Sequence, residues 1–298
     1  MTVPNHLLCL GLGYSATALA ARLSLRGWHV SATSTRPDGL ARIQAAGYKA
    51  LPFSQADPAF TEATHLVVSA PPRSDGDPGL SAGRATGGDP VLAAFADAIV
   101  ASRSIRSIAY LSTIGVYGDW SGDWVDETSE LRAQSDRSRR RVDAETAWLA
   151  LGQRSGQEVL IFRLAGIYGP GSSAIDNLRA GTGRRVVKPG QVFNRIHVED
   201  IAGVVEAAFD GRPRHRIYNV TDDEPAPPQD VVAYAAELMG LPVPPEIPFE
   251  MAQLSPMGAS FYAENKRASN ARAKGDLGWR PRYSNYREGL RAILAATD

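Results

Sequence analysis

The chain has 298 residues, 44% of them hydrophobic, which is enough for a real core and for one large domain or two modest ones. Lys plus Arg and Asp plus Glu balance at 32 each, so no overall field draws the chain to nucleic acid or to an anionic membrane. No apolar stretch approaches the ~20 residues that a bilayer-spanning helix needs, and the chain runs straight into a strand with no signal peptide, so a cytoplasmic protein is expected.

An apolar run, His6 to Leu10, stops at Gly11-Leu12-Gly13 and gives way to a helical pattern over Ser15 to Arg26 that ends at Gly27. A second strand is due at Trp28 to Thr33. This is strand, glycine turn, helix, and the turn reads G-x-G-x-x-A with Gly11, Gly13 and Ala16. Gly11 takes the tight turn, Gly13 lets backbone approach a pyrophosphate, and Ala16 is small enough for close helix–strand packing. Tyr14, Ser15 and Ala16 open the helix, whose unpaired amides and positive end then face the phosphates. A dinucleotide site at the carboxyl end of the first strand is expected.

The end of the second strand selects the cofactor. NAD calls for an Asp or Glu there, on the ribose 2′-hydroxyl. The chain instead reads Ser31 to Arg36 with no acid before Asp38. Thr35 and Arg36 suit a 2′-phosphate, because guanidinium offers phosphate a fork of donors. NADP is therefore expected, with NAD the second choice; the alternative for Arg36 is a solvated residue before Pro37.

Strand and helix signals continue to alternate: a helix at 37–46, strands at 49–53 and 65–70, a helix at 90–102, a strand at 107–112, a helix at 137–151 and a strand at 159–164. Residues 71–90 read as a Gly/Pro/Asp-rich loop. The alternation predicts an α/β fold with a parallel, doubly wound sheet whose ligand crevice lies at the carboxyl ends of the strands. Beyond about residue 166 the pattern loosens into proline-rich stretches and helices at 199–209, 228–239, 266–276 and 287–296. The five histidines show no metal-ligand spacing, so no metal is expected. Cys9, the single cysteine, sits mid-strand and reads as a small buried hydrophobe.

The segments LSTIGVYGDWSGDWVDE (111–127), FRLAGIYGPG (162–171), RIHVEDIAGVV (195–205), YNVTDDEP (218–225) and GDLGWRPRYSNYREGL (275–290) carry a resemblance. In their order and spacing the chain resembles the extended short-chain dehydrogenase/reductase superfamily, the NAD(P)-dependent epimerases and dehydratases, over nearly its whole length. The resemblance implies a Rossmann-type domain at 1–166 plus 196–220 and a smaller C-terminal substrate lobe at 167–195 plus 221–298. It gives Thr113 the position of the catalytic Ser/Thr, with Tyr117 either facing the substrate or packed in its turn. It sets Ser69, Ala70 and Pro71 near the cofactor ribose, Leu164, Ala165, Gly166 and Ile167 on the nicotinamide face, and Asn177 and Arg195 in the substrate pocket. His197 takes a packing role.

The chain departs from the family where its Tyr and Lys, four residues apart, should stand. Counting back from Glu145 puts Arg137 and Arg141 there, in SDRSRRRVDAE. Arg141 can hold a ribose or phosphate; Arg137 cannot replace an acid/base tyrosine, because guanidinium stays protonated. The resemblance is therefore to the atypical branch that lacks the pair. Asp126 and Glu127 are candidate proton sources that read as exposed loop carboxylates. Two functions stay open: an epimerase or reductase acting on a nucleotide-activated sugar or similar polar carbonyl, and a silent NAD(P)-binding sensor or scaffold. The partner is a small molecule, with no nucleic acid and no membrane, in a monomer or homodimer.

Overall fold

The computed structural model describes residues 4–73 and 88–297; most of the loop read at 71–90 lies outside them. The chain divides into two compact units, the first from the described residues of 1–116, 133–163 and 205–218, the second from 117–132, 164–204 and 219–297.

The first unit carries the central sheet. Its strands are β1 (His6–Leu10), β2 (His29–Ser34), β3 (Lys49–Pro52), β4 (His65–Val68), β5 (Ser107–Thr113), β6 (Glu158–Leu164) and β7 (Ile217–Val220). They form one parallel sheet in the order β7-β6-β5-β4-β1-β2-β3. The division falls after Arg163 in β6 and after Tyr218 in β7. The strand order reverses between β1 and β4, where Leu10 pairs with Val68, while on its other side β1 pairs Cys9 with Ala32 of β2. A doubly wound sheet opens its ligand crevice at such a reversal. Leu7 to Leu10 and Leu66 to Val68 are fully buried, as expected for parallel strands covered on both faces.

Four helices of the unit follow the predicted pattern within a few residues: α1 (Tyr14–Leu25), α2 (Pro37–Ala45), α3 (Pro90–Ala101) and α4 (Asp136–Ser155). Phe60, Phe95, Tyr110 and Trp148 fill the core beneath α3 and α4. Asp89 starts α3 by accepting the Val91 and Leu92 amides, and its other oxygen takes the Trp148 indole N–H at 3.1 Å. One carboxylate thus caps α3 and holds α4. A second buried carboxylate, Glu145 on α4, accepts the Ser112 hydroxyl of β5 at 2.5 Å and the Arg163 guanidinium of β6 at 2.7 Å. The Arg163 and Glu145 side chains are 3% and 4% exposed. This pair joins α4, β5 and β6 at the end of β5 that carries Thr113.

The second unit is built from short pieces. Three parallel strand pairs join Gly166–Tyr168 to Arg195–His197, Arg185–Val187 to Glu246–Pro248, and Trp124–Val125 to Arg267–Ala268. Its helices are α5 (Ala174–Arg179), α6 (Val198–Asp210, which continues into the first unit's residues), α7 (Pro228–Leu238), α8 (Pro256–Tyr262), α9 (Ala271–Leu277) and α10 (Tyr286–Ala295). Tyr168, Ile175, Val231, Tyr286, Leu290 and Ile293 lie at its core. In this division 117–132, 164–166, 196–204 and 219–220 group with the second unit. Asn265 explains the first segment, because its carbonyl accepts the Trp120 and Gly122 amides and its own amide donates to Asp119. The helix expected at 266–276 begins at Ala271, because Arg267 and Ala268 are drawn into a strand by a partner far away in sequence.

Glu145→Ala removes the carboxylate that forms a buried charge pair with Arg163. Glu145→Ala is expected to destabilise the first unit by about 3–5 kcal/mol in denaturant unfolding, and Glu145→Ala with Arg163→Met to cost less. Equal losses in the two variants would mean that the unpaired charge is not the cause.

Candidate functional site

In the first unit the glycine turn has the form a dinucleotide needs. Gly11 sits at φ +89°, which a side chain rarely adopts, and a Cβ there would lie 3.1 Å from the Ser69 hydroxyl oxygen. Two half-buried contacts lock the turn. The Gly11 amide donates to the Thr33 hydroxyl at 3.0 Å, and the Ser69 hydroxyl donates to the Gly11 carbonyl at 2.8 Å. Thr33 and this use of Ser69 were not signalled by the motif; only a buried polar residue in an apolar strand marked Thr33.

Gly13 is the N-cap of α1 and supplies no side-chain acceptor. Among the described residues a Cβ on Gly13 would meet only Ser69 Oγ, at 3.9 Å. Ser15 and Ala16 are buried against the sheet while Tyr14 is exposed. The N-cap thus places no side chain over the positive end of a 12-residue helix. These residues fit a dinucleotide pyrophosphate.

At the end of β2, Thr35 and Arg36 are exposed. The Arg36 guanidinium donates to Asp38 at 2.9 Å across an exposed pair. Such a pair is worth about 0–1 kcal/mol, so Asp38 does not hold Arg36 against a phosphate. Ala70 and Pro71 follow β4, with the Ala70 amide nitrogen 3.6 Å from where a Gly11 Cβ would lie.

The end of β5 presents Thr113. Its hydroxyl accepts the Gly115 amide at 3.1 Å, which leaves the hydroxyl proton for another acceptor. Ser138 joins it: Thr113 Oγ1 and Ser138 Oγ each lie 3.4 Å from where a Cβ on Gly115 would stand. Ser138 escaped the count back from Glu145, which selected exposed Arg137 one residue earlier. The inward face of α4 runs through Ser138, Arg141, Glu145 and Trp148, at helical spacing. Arg141 lies on that face, and its Nη1 donates to the Tyr110 hydroxyl at 3.0 Å and the Leu111 carbonyl at 2.9 Å. Cys9 is buried and burial pushes its thiol up, away from nucleophilic use.

Tyr117, in the second unit, is fully buried, and its hydroxyl donates to the Asn219 side chain at 2.7 Å. Its surroundings are those of a packed aromatic. Glu127 differs from its expected exposure: its side chain is 2% exposed, it accepts the Asn219 amide at 2.7 Å, and burial raises its pKa. Asp126 is exposed and caps its own turn through Thr128, which lowers its pKa. His197 accepts the Glu199 amide on Nδ1 and packs against Tyr168 and Tyr283; burial lowers its pKa to about 4. It is a neutral packing residue.

Leu164 and Ala165 are buried, whereas Gly166 and Ile167 are exposed. The second unit has a cavity of about 420 Å³ that brings Ile167, Asn177 and Arg195 together with Tyr168 and Tyr286. Arg195 Nη1 donates to the carbonyls of Phe193 and Ala226, at 2.9 and 3.0 Å. Asp222 lies behind. Burial raises its pKa to about 8, its Oδ1 accepts the Glu224 amide, and its buried Oδ2 has no hydrogen-bond partner among the described residues. Among the described residues no group of three His, Cys, Asp or Glu side chains is placed to hold a metal, and no helix is long and apolar enough to cross a membrane.

No family model matches the chain. It is 30% identical over 250 residues to Protein YeeZ of Escherichia coli K12, covering 79% of this chain and 84% of that one. Over 142 residues it is 32% identical to the 3-diazoavenalumate denitrifying reductase of a Streptomyces species, which covers 44% of this chain and 45% of the reductase. Among solved structures, a functionally unknown conserved protein from Silicibacter pomeroyi superposes with a TM-score of 0.88 at 47% identity, covering 98% of this chain and 99% of that one. The human epimerase family protein SDR39U1 with NADPH has a TM-score of 0.73 at 17% identity, covering 98% and 99%. The Bacillus cereus UDP-glucuronic acid 4-epimerase with UDP-glucuronic acid and NAD has a TM-score of 0.75 at 15% identity, covering 98% and 100%.

Asp222 gives a pH test of the second unit. A carboxyl whose folded pKa is raised above its unfolded value favours folding below the unfolded pKa, and that advantage is lost as pH rises through the folded pKa. The wild-type thermal midpoint is expected to fall between pH 4 and about 8 relative to Asp222→Asn. Parallel melting curves across that range would show that Asp222 ionises freely in the folded state.

Proposed function

Because the chain belongs to the extended short-chain dehydrogenase/reductase superfamily, among the NAD(P)-dependent epimerases and dehydratases, we propose that it is an oxidoreductase or epimerase that uses NADP, with NAD second, on a nucleotide-activated sugar or a similar polar carbonyl compound. The observation that carries this reading is the uncapped start of α1 behind a left-handed Gly11. Relatives in fold bind NADPH in one case and NAD with UDP-glucuronic acid in another, and a reductase is among the relatives in sequence.

In this reading the α1 amides hold the pyrophosphate and Arg36 leaves Asp38 for the 2′-phosphate. Arg141 sets a fixed positive charge at the end of β5. When bound, the nicotinamide supplies hydride exchange; the chain supplies orientation and the proton. Thr113, with its hydroxyl proton unspent, hydrogen-bonds the reacting oxygen, and Ser138 stands beside it. Asn177 and Arg195 hold the substrate. We place the protein in the cytoplasm.

One observation favours a second reading. The helix α4 carries no tyrosine, and the Tyr117 hydroxyl is committed to Asn219. An NADPH-binding sensor without turnover needs neither group. Single-turnover oxidation of bound NADPH against a panel of sugar nucleotides and smaller carbonyl compounds separates the two, since only an enzyme loses NADPH absorbance.

Calorimetric titration with NADPH and NADH tests the cofactor assignment. NADPH is expected to bind at least about tenfold more tightly, and Arg36→Ala to remove that preference while leaving NADH affinity unchanged, since it deletes only a charge-assisted bond to the 2′-phosphate. Equal affinities in the wild type would contradict the role of Arg36.

A further inference from the structure

The cavity of the second unit has one charge in it. Arg195 is the only charged residue among those lining it. Its Nη1 is tied down by the Phe193 and Ala226 carbonyls, which fixes the plane of the guanidinium. Nothing else among the described residues bonds the group, so the edge formed by Nε and Nη2 is left for a ligand. That edge is the side-on fork that matches two oxygens of a carboxylate. Asp222 is the carboxylate that acts on Arg195 most strongly, and burial raises its pKa, which weakens the compensation it gives the guanidinium. A half-buried cation with a weakened counter-ion is costly, and a bound anion relieves the cost.

The rest of the lining says what the anion is attached to. Tyr168, Val231, Val232, Tyr286 and Leu290 give the cavity apolar and aromatic walls. Its uncharged polar side chains outside the two tyrosines are Ser172, Ser173 and Asn177. A pyrophosphate carries at least two negative charges, and Arg195 is the single cation among the lining residues. A sugar is commonly gripped by carboxylate or amide side chains, and among the lining residues Asn177 alone has such a group. A monoanion with an apolar body satisfies both the single fork and the dry walls.

We propose that the Arg195 cavity binds a small aryl or alkyl carboxylate, held side-on by Nε and Nη2 of Arg195 with its apolar body between Tyr168, Tyr286 and Leu290. The proposal rests on the nicotinamide-enzyme reading for its meaning as a substrate site, and it narrows that reading from nucleotide-activated sugars to carbonyl compounds that carry a carboxylate.

The test is calorimetric titration of the full chain, with and without saturating NADPH, using 3-phenylpropanoate, its uncharged amide 3-phenylpropanamide, and UDP-glucuronate. The carboxylate is expected to bind at least about tenfold more tightly than the amide, the size of a charge-assisted hydrogen bond, and more tightly than UDP-glucuronate. Arg195→Met is expected to erase the difference between carboxylate and amide while binding NADPH as the wild type does. Should that variant fail to fold, the wild-type comparison of carboxylate with amide decides alone. Equal binding of acid and amide, tightest binding of UDP-glucuronate, or binding of none of the three overturns the proposal. Carboxylate selectivity without NADPH binding supports the cavity assignment and overturns the nicotinamide reading instead.

Discussion

A buried parallel strand that must become a helix within a few residues needs a backbone conformation that side chains oppose. Gly11, at φ +89°, supplies it, and the first unit's site follows from that one position. The turn brings α1 back against the sheet with Ala16 fully buried, and leaves the helix start with no capping side chain. Thr33 and Ser69 grip the Gly11 amide and carbonyl, so the turn is held by the two strands that flank β1. The start of the helix follows β1 at the point where strand order reverses. That combination of an uncapped start and positive helix end is what an anionic pyrophosphate requires.

The second fixed point of that unit lies at the end of β5. Ser112 is tied to Glu145, and Glu145 to Arg163, so Thr113 stands on a strand end braced from α4 and β6. The same face of α4 carries Ser138 and Arg141. The Arg141 guanidinium is held in place by the Tyr110 hydroxyl and the Leu111 carbonyl. No residue on this face replaces the tyrosine: Ser138 is short, and its unperturbed hydroxyl is a far weaker acid than a phenol. In the proposed reaction the proton is left to the Thr113 hydroxyl or to solvent, and losing a positioned acid/base costs about 10²–10⁴ in rate.

Much of the first unit was legible in the sequence because parallel strands and their helices write long periodic patterns. The Gly11 turn, the strands at 6–10 and 107–113 and the helices at 14–25 and 90–101 lie within two residues of their predicted limits. The second unit hid more. Its strands are two or three residues long and pair with partners far away in sequence, as Trp124–Val125 do with Arg267–Ala268, so no local pattern reveals them. The same long-range pairing shortened the helix expected at 266–276 and moved 117–132 out of the first unit. Within the site, the arginine run at 137–141 drew attention from Ser138, although burial selects the serine. Glu127 looked like a loop carboxylate because nothing nearby in sequence shows that the Asn219 amide reaches it.

Hydrogen–deuterium exchange of the backbone amides with and without saturating NADPH tests the central claim most directly, because it reads the α1 donors themselves. The account predicts slowed exchange confined in the first unit to the Gly11 turn, the amides of Tyr14 to Ala16 and the residues around Arg36. Unchanged exchange at Tyr14 to Ala16 in a sample that binds NADPH would place the pyrophosphate elsewhere and contradict the account.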